Sequence, residues 1–199
     1  MVSIKIYAEG GGDRKDLKTR CRQGFSQFFE KAGLKGRMPS VVACGSRQKT
    51  YDNFCTALER AGLDELPMLL VDSEEAISES PWKHLQSRDG WVRPDEAQDK
   101  QAHLMVQVME SWFLADRTAL VRHFGQGFRE SALSNQTDLE AIGKQQVFDS
   151  LKSATRESRA GVYDKGKHSF EILGKIDPVK VRVLPHVERL LHCLDQSSQ

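Results

Sequence analysis

The chain has 199 residues, 39% of them hydrophobic, with 29 Lys and Arg against 28 Asp and Glu; this fits one domain with one packed core and, at net charge +1, excludes a global basic field for nucleic acid or membrane, leaving only a local patch. Four cysteines, Cys21, Cys44, Cys55 and Cys193, have no CxxC spacing, which excludes a zinc ribbon and a disulfide scaffold. With no signal-peptide core and no apolar run near the ~20 residues of a membrane helix, a soluble cytoplasmic protein with reduced thiols is expected.

The first elements alternate in type. Ser3–Ala8 reads as a strand, and Asp13–Ala32 as a helix carrying Leu17, Cys21, Phe25, Phe28 and Phe29 at helical spacing, stopped by Gly33. Pro39–Cys44 is a short apolar strand. Gln48–Ala61 is a second helix with Tyr51, Phe54, Cys55, Leu58 and Ala61 on one face, ended by Gly62. Leu66–Val71 is apolar throughout, as in a strand covered on both faces. This order predicts an α/β fold, a mainly parallel sheet with helices on both sides.

From Asp72 to Gln101 the chain is polar and irregular, with a short helix expected around Trp82–Arg88. Connections of that length are often functional. Trp82 and Trp91 either stack on a base or pack the segment onto the body. His103–Met109 reads as a fourth strand, with His103 as a satisfied core histidine. The remainder is helical: Arg117 to about Phe124 capped by Asp116, Lys144–Thr155, Ser169–Lys175, and a final helix opened by Asp177 at the N-cap and Pro178 at N1, which Pro185 kinks or divides. An α/β core over residues 1–116 with a helical extension, 117–199, packed on the same domain is expected.

The chemistry sits at the predicted strand ends. Sites in open parallel sheets form beyond the C-terminal ends of the strands. Glu9 follows the first strand, Asp72 and Glu74 the third, and Glu110 the fourth. Residues two apart in an extended segment project to the same side, so Asp72 and Glu74 are expected to reach one site together. Clustered carboxylates repel unless a hard cation neutralises them, and oxygen ligands suit Mg²⁺ or Mn²⁺. Such an ion polarises a phosphodiester and activates water. Glu110 is a candidate second-metal ligand or supporting acid. Gly10, Gly11, Gly12 and Asp13 fit neither GxxxxGK[ST] nor GxGxxG. The glycines read as clearance beside Glu9, and the helix that follows offers its N-terminus to a phosphate. Asp13 is open between a helix cap and a ligand.

These residues resemble the TOPRIM fold of topoisomerases, primases and OLD-family nucleases, whose pattern is a strand ending in Glu-Gly and a later strand ending in Asp-x-Asp. Glu9-Gly10 and Asp72-Ser73-Glu74 match it, with Glu74 in place of the second Asp. Over nearly its whole length the chain is similar to a bacterial family of unknown function assigned a TOPRIM-like fold, through "YAEGGGD" (Tyr7–Asp13), "LLVDSE" (Leu69–Glu74), "AHLMVQVMESWFLAD" (Ala102–Asp116) and "YDKGKHSFEIL" (Tyr163–Leu173). The resemblance implies an ABC- or AAA-type ATPase as partner and a role in defence against phage or plasmids. It also implies a lysine beside the acids. A lysine near a metal centre stabilises charge building on phosphate, and among Lys165, Lys167 and His168 the last two lie nearest the expected start of the helix at Ser169.

The leading expectation is a metal-dependent nuclease with Glu9, Asp72 and Glu74 on Mg²⁺ and Lys167 or Lys165 on the phosphate. The rival is a non-catalytic subunit of the same fold that binds an ATPase or another protein. A third option is a nucleotide-binding enzyme using the same acids.

Overall fold

The computed structural model describes residues 2–197. Four strands, β1 (Ser3–Gly11), β2 (Ser40–Gly45), β3 (Glu65–Asp72) and β4 (Ala102–Met105), form one sheet in the order β2-β1-β3-β4. All three pairings are parallel. The helices are α1 (Lys15–Phe29), α2 (Arg47–Arg60), α3 (Pro81–Asp89), α4 (Ser111–Ala115), α5 (Arg117–Phe124), α6 (Lys144–Thr155), α7 (Lys165–Lys175), α8 (Pro178–Val181) and α9 (Pro185–Ser197). Among the described residues no helix is long and apolar enough to cross a membrane.

The sheet is covered on both faces because its strands carry two apolar sets in alternation. Ile4, Ile6, Ala8, Met68 and Leu70 join a core with Phe25, Phe28, Phe29, Trp112 and the helices after β4. Tyr7, Leu69 and Val71 point the other way, into a core with Phe54, Trp82, Leu85 and Trp91. Both tryptophans of the long connection therefore pack onto the body: Trp91 stacks on Tyr51 at 4.4 Å between ring centroids, and Trp82 Nε1–H donates to the Gln98 carbonyl. His103 is buried and doubly bonded: its Nε2–H donates to the Lys100 carbonyl, and Nδ1 accepts from Arg189.

The C-terminal helices share the first core with β1 and β3. Helix α7 lies across α1 so closely that a Cβ on Gly24 would sit 2.5 Å from the Phe170 carbonyl oxygen. Arg20 donates to the Gly166 carbonyl at 3.0 Å and Lys31 to the Gly174 carbonyl at 2.7 Å, fixing α7 at both ends.

Several element boundaries differ from the sequence reading. Strand β4 stops at Met105, not Met109. Val108 and Met109 are buried but turn into α4, with Ser111 N–H bonded to the Val108 carbonyl and Trp112 N–H to that of Met109. A short apolar run signals burial, not strand. Helix α7 begins at Lys165 and is capped by Asp164, whose Oδ1 accepts from Lys167 N–H at 2.8 Å; Ser169 is not its cap. Gly166 disguised that start, although the first turn needs no intrahelical N–H partner. Helix α1 begins at Lys15 with Arg14 at the N-cap position, so Asp13 is not a cap. Asp177 caps α8 with Pro178 at its first position, and Pro185 opens a separate helix.

In the order β2-β1-β3-β4, the chain leaves β1 toward one side of the sheet and returns to its other side for β3. The crevice beyond the C-terminal ends of β1 and β3 is thus the topological switch point, where such sheets bind ligands.

Candidate metal centre

Glu9 and Asp72 end up side by side because β1 and β3 pair in register, Ala8 with Leu70. Beyond Ala8 the pairing with β2 slips, and Glu9, Gly10 and Gly11 all face Gly45. That bulge needs glycine. A Cβ on Gly45 would sit 2.4 Å from the Gly12 carbonyl oxygen, and one on Gly11 would meet the Lys18 backbone at 2.9 Å. The strand end can therefore fold closely over the start of α1.

Glu74 arrives differently from expectation. The backbone is not extended there: Glu74 has φ 68°, the left-handed region that non-glycine residues rarely occupy. Its N–H donates to the Gln107 carbonyl at 2.8 Å, and Ser73 N–H to the Met105 carbonyl at 2.9 Å. The turn, not strand alternation, brings Glu74 to the site.

One carboxylate oxygen each from Glu9, Asp72 and Glu74 lies within 4.8 Å of the others. Oxygens on opposite sides of Mg²⁺ lie about 4.2 Å apart, and on a 2.4 Å Ca²⁺ shell about 4.8 Å apart. The three acids could hold a metal ion, and a small rotamer adjustment draws them in for the smaller cations. The donor set is all oxygen, which fits a hard cation.

Each of the three acids also has a cation of this chain beside it. Arg47 NH1 is 3.3 Å from Glu9 Oε2, while its fork is bidentate on Asp89 at 2.9 and 2.6 Å and also reaches the Asp72 carbonyl. Lys165 Nζ is 3.7 Å from Asp72 Oδ2 and 3.7 Å from Glu110 Oε2. Lys144 Nζ pairs with Glu74 Oε2, and Arg88 lies 4.0 Å from the same oxygen. Backbone donors complete the centre: Met109 N–H on Asp72 Oδ1 at 2.8 Å and Asp72 N–H on Glu9 Oε2 at 3.3 Å.

Burial dominates the electrostatics. It pushes the Asp72 carboxyl up, to about 8, with Lys165 pulling it down and Glu9 and Glu110 pushing it further up. Glu9 is raised by burial, against Arg47 and reinforced by Glu74. Burial acts to lower Lys165, but Glu110, Asp72, Glu9 and Glu74 outweigh it and hold the ammonium charged. Glu110 is fully buried; Oε1 accepts from Tyr163 O–H at 2.8 Å, and Oε2 has no hydrogen-bond partner among the described residues. It is not one of the three clustered acids; it stands behind Lys165 and anchors it.

The structure brings together Glu9, Asp72, Glu74 and Lys165, and lines the adjoining cavity with Gly10, Gly11 and Gly12. It places two favoured residues elsewhere. Lys167 Nζ turns away to the Ala160 carbonyl at 3.0 Å. His168 is buried between Phe124, His123 and Tyr163, its Nδ1 accepting from Asp164 N–H. Because α7 starts at Lys165, that residue's side chain, about one turn before the point where the helix was expected to begin, faces the acids. Asp13 is exposed and paired with Lys49 at 2.6 Å, outside the cavity, and that lysine holds its carboxyl below the ordinary range. The basic run "SRQK", Ser46–Lys49, lies near a strand end where a phosphate contact is expected, and its Arg47 reaches Glu9 and the Asp72 carbonyl instead; Lys144 and Asp89 also stand at the site without such a signal. Lys144 reads as an ordinary first residue of a helix, and nothing local marks it.

The cavity beside the acids measures about 300 Å³ and is lined by Glu9, Asp72 and Lys165 together with the apolar Leu17, Met105, Met109 and Phe170. A family model described as a domain of unknown function, DUF4276, matches residues 8–195. Comparison with the curated proteins and with the solved structures found no match.

Proposed function

The chain belongs to the DUF4276 family, and we propose that it is a TOPRIM-like, metal-dependent nuclease using Mg²⁺ or Mn²⁺. The observation that carries this reading is the convergence of Glu9, Asp72 and Glu74 within 4.8 Å at the switch point of a parallel sheet, with Lys165 beside Asp72. A bound divalent cation would polarise the phosphodiester and lower the pKa of an attacking water. Glu9, Asp72 and Glu74 would hold it. Lys165, kept charged and anchored by Glu110, would move its ammonium onto a phosphate oxygen as negative charge builds there. Arg47, tied down by Asp89, orients Glu9 and the Asp72 carbonyl. Action with an ABC- or AAA-type ATPase in defence against phage or plasmids, in the cytoplasm, is part of the proposal and rests on sequence resemblance alone.

Cleavage of RNA or single-stranded DNA in Mg²⁺ or Mn²⁺, with and without an ABC- or AAA-type ATPase, tests it, with nicking of plasmid DNA measured alongside. The wild type is expected to cleave, and Glu9→Gln and Asp72→Asn to lose at least about two orders of magnitude in rate, the scale of losing electrostatic stabilisation. Cleavage unaffected by both substitutions would refute the reading.

One observation favours a second reading. Arg47, Lys165 and Lys144 each already oppose one of the three acids. In that reading the cluster is internally neutralised and the protein is a non-catalytic subunit that binds an ATPase or another protein. Tight ATPase binding with no cleavage in any metal selects it.

A further inference from the structure

We propose that the cavity takes a single unpaired or terminal nucleotide, and not the backbone of an intact duplex. This deepens the nuclease reading and rests on it. Asp72 is 4% exposed and Glu9 is half-buried, so the two acids are recessed, with the half-exposed Lys165 side chain beside them. The phosphates of a duplex lie on a convex, rigid surface with the bases stacked inside, and enzymes that reach into a recess act on unstacked nucleotides. The recess has a chemically mixed lining. Glu9, Asp72 and Lys165, with Gly166 and Ser169 of α7, supply its polar groups; Leu17, Met105, Met109 and Phe170 supply its apolar ones. A solvated phosphate needs only the polar groups. The apolar side chains have no use for a backbone phosphate, but suit a base and the apolar side of its sugar.

Its volume of about 300 Å³ is at the small end for ligand sites, enough for one such unit and not for a stacked pair. The glycine strand end sets the width. A Cβ on Gly10 would come within 3.1 Å of the Phe170 ring, so any side chain there would crowd the space beside Glu9.

Binding with Mn²⁺ present separates this inference from the function it rests on. The probes are methyl phosphate and thymidine 5′-monophosphate, followed by calorimetry. Thymidine monophosphate is expected to bind about tenfold tighter than methyl phosphate, the lower range of base–side-chain contacts. Leu17→Ala should erase most of that margin and leave methyl phosphate unchanged, while Leu17→Met retains it; Asp72→Asn should abolish Mn²⁺-dependent binding of both probes. If methyl phosphate binds with Mn²⁺ but the nucleoside adds nothing, or Leu17→Ala weakens both probes alike, the nucleotide inference falls and the metal reading stands. If neither probe binds in a Mn²⁺-dependent way, both fall.

Discussion

Glu9, Asp72 and Glu74 are held by counter-charges of unequal firmness, and that inequality has consequences. Arg47 is locked by its bidentate grip on Asp89, with both side chains largely buried at 15% and 11% exposed. Arg47→Met leaves Asp89 with Arg88 alone and removes the counter-charge of Glu9, so the loss should stay below the ~3 kcal/mol of breaking an isolated buried pair; the urea midpoint should fall accordingly. Lys144 is 37% exposed, so its pair with Glu74 is a screened one, worth under about 1 kcal/mol. Lys144 competes with a cation for Glu74. Lys144→Gln should therefore tighten Mn²⁺ binding by about three- to fivefold in calorimetry, and weaker binding would show that Lys144 supports the centre. Glu9 and Asp72 were legible in the sequence because strand ends are marked by apolar runs. Glu74 was legible as a residue but not as a conformation: its positive φ depends on the Gln107 carbonyl, far along the chain. Lys144, Arg47 and Asp89 reach the site only through tertiary packing, which leaves no local trace.

The glycine-rich end of β1 and the start of α7 are the two elements that build the site. Gly45→Ala puts a Cβ 2.4 Å from the Gly12 carbonyl at φ +93°, where the close neighbour is backbone and cannot yield. A loss of about 2 kcal/mol or more is expected. Gly62→Ala, where an added Cβ meets nothing within 4 Å, should be neutral or gain up to about 1 kcal/mol through the unfolded chain. Thermal melts of the two variants side by side distinguish a packed glycine from a merely terminal one. At α7, Asp164→Ala removes the cap on Lys167 N–H and should cost about 1 kcal/mol. The β-α-β-α-β order was legible because β1, β2 and β3 are apolar at the right period. The start of α7 was not, because Lys-Gly-Lys-His carries neither an apolar stripe nor strong propensity; Asp164 three residues before Lys167 was the available signal. The end of β4 was missed because Val106–Met109 is as buried as a strand and turns only under tertiary bonds.

Over the whole molecule, one sheet separates two cores, and buried polar groups at their margins make stability depend on pH. His103 is pushed down to about 3 by burial, with the Arg189 charge adding to it, and His123 to about 4 by burial and Lys175. In the unfolded chain each titrates near 6.5, so between that value and the folded one the unfolded state binds more protons. The contribution is fully present above pH 6.5 and is lost as pH falls toward the folded values. Asp72, raised to about 8, gains stability over the same interval as pH falls, so the histidine contribution is read as a difference: between pH 7 and pH 5 the melting temperature of His103→Gln should shift less toward instability than that of the wild type. An equal shift in both would place the acid sensitivity elsewhere.

The switch-point crevice is a property of the entire topology: β1 and β3 must be neighbours for Glu9 and Asp72 to meet. Mn²⁺ titration of the purified chain, read by calorimetry or by the electron spin resonance of free Mn²⁺, asks whether that meeting makes a cation site. Saturable binding near one ion per chain, lost in Asp72→Asn and weakened more than tenfold in Glu9→Gln, is the predicted result. No binding by the wild type at millimolar Mn²⁺, or binding unchanged in Asp72→Asn, would contradict it.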